Sequence, residues 1–151
     1  MNQLEVLRLE VSEEVVPNMV VWEKRNGLIS YSVPGKIAER VCLEGEKASL
    51  WIEMDAGRRI VSVECHYAKM AAKEFDFEAL CQSTGSVCVR SFPAEPVVSV
   101  HAHRSGVVIS IGKAEPDRLI RESRNVAFLV SGRSLVGIFL QPNAAVNSMI
   151  M

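Results

Sequence analysis

The chain has 151 residues, 48% of them hydrophobic and 23% charged, with 17 Lys+Arg against 18 Asp+Glu and a formal net charge of -1 at pH 7. This is ordinary globular usage, long enough to bury a core without disulfides or metal, and it lies far from the disordered and membrane extremes. With no basic excess and no apolar run of bilayer-spanning length, neither nucleic acid nor membrane is an expected partner.

Leu4 to Val11 alternates apolar and polar residues with one extra apolar position at Leu7, which predicts a half-buried strand with a bulge. Pro17-Asn18 is a turn signal. Met19 to Trp22 and Leu28 to Val33 flank Lys24-Arg25-Asn26-Gly27, and Asn-Gly between two β-rich runs predicts a first hairpin with a type I′ turn. After Pro34-Gly35, Lys36 to Leu43 places Ile37 and Val41 four apart and reads as a short helix ended by Gly45. Ala48 to Asp55 and Arg59 to His66, around Ala56-Gly57-Arg58, predict a second hairpin. Its apolar faces are Leu50, Ile52 and Met54 on one strand and Val61, Val63 and Cys65 on the other.

From Ala68 to Gln82, Ala, Lys, Glu and Leu replace the β-branched residues, and Met70, Phe77, Leu80 and Cys81 fall near one helical stripe. The longer helix is predicted there, stopped by Gly85. Ser86 to Phe92 returns to β, and Phe92 to Pro96 is a stiff connector. Val97 to His103 and Val107 to Gly112 form a third hairpin about Arg104-Ser105-Gly106. Glu115-Pro116-Asp117 opens a second short helix to Ser123, with proline in the first turn and acids near the positive end of the dipole. Asn125 to Pro142 is the most apolar stretch. It reads as a fourth hairpin around Ser131-Gly132-Arg133-Ser134, apolar on both alternating faces as strands covered on two sides are, and it is placed at the centre of the sheet. Residues 143–151 read as a frayed, flexible tail.

The expected fold is mainly β, an antiparallel sandwich or partly open barrel of four hairpins, with one longer helix and two short helices over an edge or opening, in one domain spanning 1–151. The element order repeats, suggesting an internal duplication with halves 1–83 and 84–142. Gly57 to Val63 resembles Gly132 to Ile138, and Gly27 to Tyr31 resembles the run from Gly106. The first half holds 10 Lys+Arg against 14 Asp+Glu and residues 84–151 hold 7 against 4, so facing halves would be complementary in charge.

Cys42, Cys65, Cys81 and Cys88 lack C-x-x-C spacing, and the N-terminus lacks the pattern of an export signal, so reduced thiols and a cytoplasmic location are expected. Alternation puts His101 and His103 on one strand face, a geometry that can hold a divalent transition metal if His66 or Glu115 supplies a third ligand. Arg104 directly after the pair works against a cation. On the polar face of the second hairpin, Glu53, Asp55, Glu64 and His66 gather around Trp51, an acidic binding face with an aromatic anchor. Cys65 and His66, adjacent on a strand, point to opposite faces and cannot form a dyad. Arg118, Arg121 and Arg124 lie three apart on the flank of the second short helix and could meet an acidic partner or a phosphate.

The run Val130-Ser131-Gly132-Arg133-Ser134-Leu135-Val136-Gly137-Ile138 resembles the close of a family of short bacterial β-proteins of unknown function, in which a hairpin ends in Gly-x-x-Val-Gly-Ile-Glu. Phe139 stands here in place of the acid, and the likeness implies no activity. The sequence reading is therefore a non-catalytic binding protein that needs no cofactor. Its acidic face of Trp51, Glu53, Asp55 and Glu64 meets a protein partner, in the concrete case a bacterial toxin held by an immunity-type inhibitor. The alternatives are a homo-oligomer and a small-ligand-binding or metal-dependent β-barrel enzyme built on His101, His103 and His66.

Overall fold

The computed structural model describes residues 4–10, 18–71, 73–91, 97–104 and 106–142, with the backbone alone for 4–10. In chain order the described strands are β1 (Leu4–Glu10), β2 (Met19–Glu23), β3 (Leu28–Ser32), β4 (Glu39–Glu44), β5 (Ala48–Met54), β6 (Ile60–Tyr67), β7 (Cys81–Thr84), β8 (Ser86–Ser91), β9 (Val98–His103), β10 (Gly106–Ile111), β11 (Arg118–Arg121), β12 (Val126–Ser131) and β13 (Ser134–Leu140). The expected turn at Pro17, the connector from Phe92 to Pro96 and the tail after Pro142 lie outside the described residues.

The strands form two separate sheets and no closed barrel. A small antiparallel sheet runs β2-β3-β6-β5-β4. A large sheet of eight strands runs β7-β11-β12-β13, and the far edge of β13 is shared by β1 and β10, which continue to β8 and β9 respectively. All four expected hairpins form, and the fourth, β12-β13, stands at the branch point of the large sheet. β1 slips register against β8 around Val6 and Arg8, the irregularity expected at Leu7.

Side chains from one face of each sheet meet in a shared apolar core. Within it, two strand-by-strand rows hold the same places. Val20, Tyr31, Val63, Ile52 and Val41 lie in register across the small sheet. Val100, Ile109, Ile138, Phe128 and Ile120 lie in register across the large one. The five strands β9-β10-β13-β12-β11 thus repeat the order β2-β3-β6-β5-β4. Each set also carries a one-residue bulge at the same point, Val61 between Ile60 and Ser62 and Val136 between Leu135 and Gly137. In this register Ile60 to Val63 takes the place that Leu135 to Ile138 takes in the large sheet. The register moves the other match by one residue, since Tyr31 corresponds to Ile109.

None of the three expected helices forms. Lys36 to Leu43 yields the edge strand β4, because a spacing of four between Ile37 and Val41 satisfies a period of two as well as a helical turn. Leu43 faces the core, and Val41 packs against it. Glu115 to Ser123 yields β11, whose Ile120 and Leu119 are buried on opposite faces, as a strand between two apolar layers requires. The longer helix at Ala68 to Gln82 is replaced by an extended strap with one 3-10 turn at Phe77–Ala79, followed by β7. The outer face of the large sheet is itself apolar (Val108, Leu119, Ala127, Leu129, Val136, Phe139), and Phe75, Phe77 and Leu80 pack onto it. Phe75 and Phe77, two apart, point the same way only in extended chain, so burial outweighs the helical propensity of the segment. The β2-β3 connection is a 3-10 turn at Lys24–Asn26 with positive φ at Gly27, not a type I′ turn. The Tyr67 carbonyl lies so close to Gly27 that any Cβ would collide with it.

A carboxylate ties the sheets together. Glu122, just after β11, accepts 2.6 Å hydrogen bonds from the Tyr31 hydroxyl and from Arg59 Nη2. Burial, reinforced by the Glu122 charge, pushes the Tyr31 hydroxyl far above its ordinary pKa. Burial works against the Arg59 charge, but the Glu122 hydrogen bond and charge outweigh it and raise its pKa. Arg59-Glu122 and Lys73-Glu115 both join the halves with the basic partner in the acidic half. These contacts run opposite to the expected complementarity of net charge.

Candidate functional site

Because β3, β5 and β6 beyond the bulge at Val61 alternate, and β4 pairs in register with β5, their polar residues emerge together on the outer face of the small sheet. One row across it reads Val21, Ser30, Glu64, Trp51 and Cys42, and the next reads Met19, Ser32, Ser62, Glu53 and Arg40. From these rows Ser30, Ser32, Arg40, Trp51, Glu53, Ser62 and Glu64, together with His66, line a shallow depression of about 460 Å³. Arg40 Nε and Nη2 donate to Glu53 Oε2 at 2.9 and 2.7 Å, and the guanidinium stands 5.9 Å from the centroid of the Trp51 ring. Glu64 Oε2 lies 3.2 Å from His66 Nε2.

Three of the four expected binding residues, Trp51, Glu53 and Glu64, therefore converge. Asp55 does not join them. It shapes the β5-β6 turn, its Oδ1 accepting from the backbone of Gly57 and Arg59 at 2.9 and 3.0 Å, and it borders a separate hollow beside Lys36 to Ala38. Glu53, with its side chain only 15% exposed, is matched by Arg40. The face is thus charge-compensated and polar, with an aromatic centre, more than it is acidic. Arg40 gives no signal in the sequence, because the spacing in Lys36 to Leu43 predicts a helix. Ser30 and Ser32 were legible in the alternation Ile29-Ser30-Tyr31-Ser32. Cys42, beside Trp51, is no ready nucleophile, since burial and then the Glu44 charge push its thiol pKa up.

The three histidines do not converge. His66 lies on the small sheet's outer face, while His101 and His103 share the outer face of the large one, under the strap. No group of three metal-ligating side chains occurs among the described residues. His101 is 6% exposed, and its ring is fixed at both nitrogens. Nδ1-H donates to the Ala71 carbonyl at 3.3 Å, and the Ser99 hydroxyl donates to Nε2 at 2.9 Å. In outline this is a nucleophile, a base and an orienting group. Burial lowers the pKa of the imidazole, Phe75 stands edge-on to it at 5.5 Å between ring centroids, and the Nδ1 bond to Ala71 ties the strap to β9. His103 stacks on Phe77 at 4.3 Å, near Phe139 at 5.8 Å. Arg118 bonds the Gly132 carbonyl and Arg121 the Arg124 carbonyl, and the two point to opposite faces of β11, so no helical basic flank exists.

The pKa of His101 is lowered by burial and by Lys73 against the Ala71 hydrogen bond, and that of His103 by burial and by Arg104. Both imidazoles hold fewer protons folded than unfolded. Their effect on stability is therefore flat above the ordinary histidine pKa of about 6.5 and unfavourable as pH falls below it. Urea midpoints are expected to drop between pH 7.5 and 5.5, and the drop is expected to shrink in a His101→Asn/His103→Phe chain. An equal drop in both chains would assign the acid sensitivity elsewhere.

No protein-family model matches the chain, and no curated protein matches it, so the reading of this face rests on its geometry.

Proposed function

We propose that the protein is a non-catalytic binding protein that presents the outer face of the small sheet to a protein partner. The observation that carries this reading is Trp51, half-buried at the centre of a depression ringed by hydrogen-bonding side chains. Large aromatic anchors inside a polar rim are the commonest energetic centres of protein interfaces. Because Arg40 compensates Glu53 and the Asp55 side chain is held within its turn, recognition depends on this anchor more than on net negative charge. In the immunity-type version of the reading, Glu64, 49% exposed, is the acid left to meet a basic partner.

The test is a photo-crosslinking amino acid at Ser49, next to His66 on the same face, expressed in the source cell. One partner protein is expected to crosslink. Trp51→Ala is expected to weaken its binding by about 30-fold, the effect of a strong interface anchor. Crosslinks that survive Trp51→Ala unchanged, or none at all, would sink the reading.

A further inference from the structure

Between the strap and the outer face of the large sheet lies a second hollow, of about 230 Å³. It is the counterpart of the depression on the small sheet, since Ser110 and Leu129 hold the register positions of Ser32 and Glu53. The chemistry differs. Where the small sheet sets Arg40 beside Glu53, the large one sets Leu119 beside Leu129. Leu129 and Val136 therefore give the hollow an apolar floor, Phe75 adds an aromatic ring from the strap, and Val97, 46% exposed, carries the apolar lining out to the surface.

Polar groups enter this lining at a few points. The Ala71 carbonyl can only accept, so the His101 proton sits on Nδ1 and Nε2 accepts from Ser99, which occupies those two side chains with each other. The Ser110 hydroxyl, cross-strand from Ser99, has no side-chain partner among the described residues and can donate to a ligand. Lys73 and Lys113 also line the hollow, and none of the described residues lining it is acidic. Lys73 is already paired with Glu115 at 3.0 Å, which leaves Lys113, exposed and outside every ion pair among the described residues, as the cation open to a ligand. One negative charge matches one such ammonium. The volume, below the roughly 300–1,000 Å³ of sites for drug-sized ligands, limits the rest of the ligand to a single ring or a short branched chain.

We propose that this hollow binds a small monocarboxylate with a compact apolar body, of the size of benzoate: its carboxylate meets the Lys113 ammonium and the Ser110 hydroxyl, and its body lies against Phe75, Leu129 and Val136. The site stands on the other sheet from the partner-binding face and does not depend on that reading.

The experiment titrates benzoate into the isotope-labelled full chain and follows the backbone amide signals by NMR, with benzyl alcohol as the uncharged probe and inorganic phosphate as the anion without an apolar body. Benzoate is expected to shift the signals of Ser99, His101, Ser110 and Lys113 saturably and to leave those of Trp51 and Glu53 in place. Benzyl alcohol and phosphate are each expected to bind at least about tenfold more weakly, and Lys113→Glu is expected to weaken benzoate by about tenfold, the loss of one charge-assisted contact. Lys113 lies at the surface, so this variant keeps the core intact. No saturable shift, shifts centred on Trp51, phosphate or benzyl alcohol binding as tightly as benzoate, or unchanged affinity in Lys113→Glu overturns the proposal. Trp51→Ala is expected to leave benzoate binding unchanged, so this result and the partner crosslink at Ser49 succeed or fail independently.

Discussion

Phe128→Ala is expected to cost about 3–5 kcal/mol, a large share of the roughly 5–15 kcal/mol that holds a domain folded. Phe128 is fully buried at the middle of the inner row of the large sheet, paired with Ile120 on one side and Ile138 on the other, within the core shared by both sheets. Deleting its ring leaves a cavity whose walls are strands of both sheets, anchored by their own ladders and unable to close in. Urea denaturation would show the loss as a lower midpoint at unchanged slope. Its counterpart in the small sheet, Ile52, loses a single methylene in Ile52→Val and is expected to cost about 0.5–1.5 kcal/mol. A loss at Phe128 no larger than that at Ile52 would show that the two sheets do not share one core.

Glu122→Ala is expected to cost about 3–5 kcal/mol, the range for removing one partner of a buried ion pair. The side chains of Glu122 and Arg59 are 6% and 26% exposed, so water replaces little of what is lost. Alanine leaves the Arg59 charge unmatched and the Tyr31 hydroxyl, 1% exposed, without its acceptor. Tyr31→Phe removes only one hydrogen bond and is expected to cost about 0.5–1.5 kcal/mol. In a Tyr31→Phe/Arg59→Met chain the added effect of Glu122→Ala is expected to shrink, because the groups it would orphan are gone. Equal effects in both backgrounds would show that Glu122 acts without its two partners.

The polar face was half legible before folding. Alternation in Ala48 to Met54 and Val61 to His66 reveals that Trp51, Glu53, Glu64 and His66 share a side, because a strand's period of two is a local property. Arg40 was not legible. Its strand is short, and its apolar spacing fits helix and strand equally, so only pairing with β5 fixes it. His101 and His103 were placed correctly on one face, but a metal site and an aromatic strap both suit such a pair. The choice depends on Phe75 and Phe77, which are distant in sequence. Glu122, 63 residues from Arg59 and 91 from Tyr31, gave no local signal at all.

The sequence by itself determined the four hairpins, the bulge in β1 and the apolar character of β12-β13 on both faces. Each of these follows from alternation and turn chemistry within a few residues. The tertiary structure decided which hairpins share a sheet, that Ala68 to Leu80 is an extended cover and not a helix, and that the charge of Glu53 is compensated by Arg40. Those outcomes depend on which surface each segment meets, and the free energy of burying that surface exceeds the small local preferences that the sequence displays.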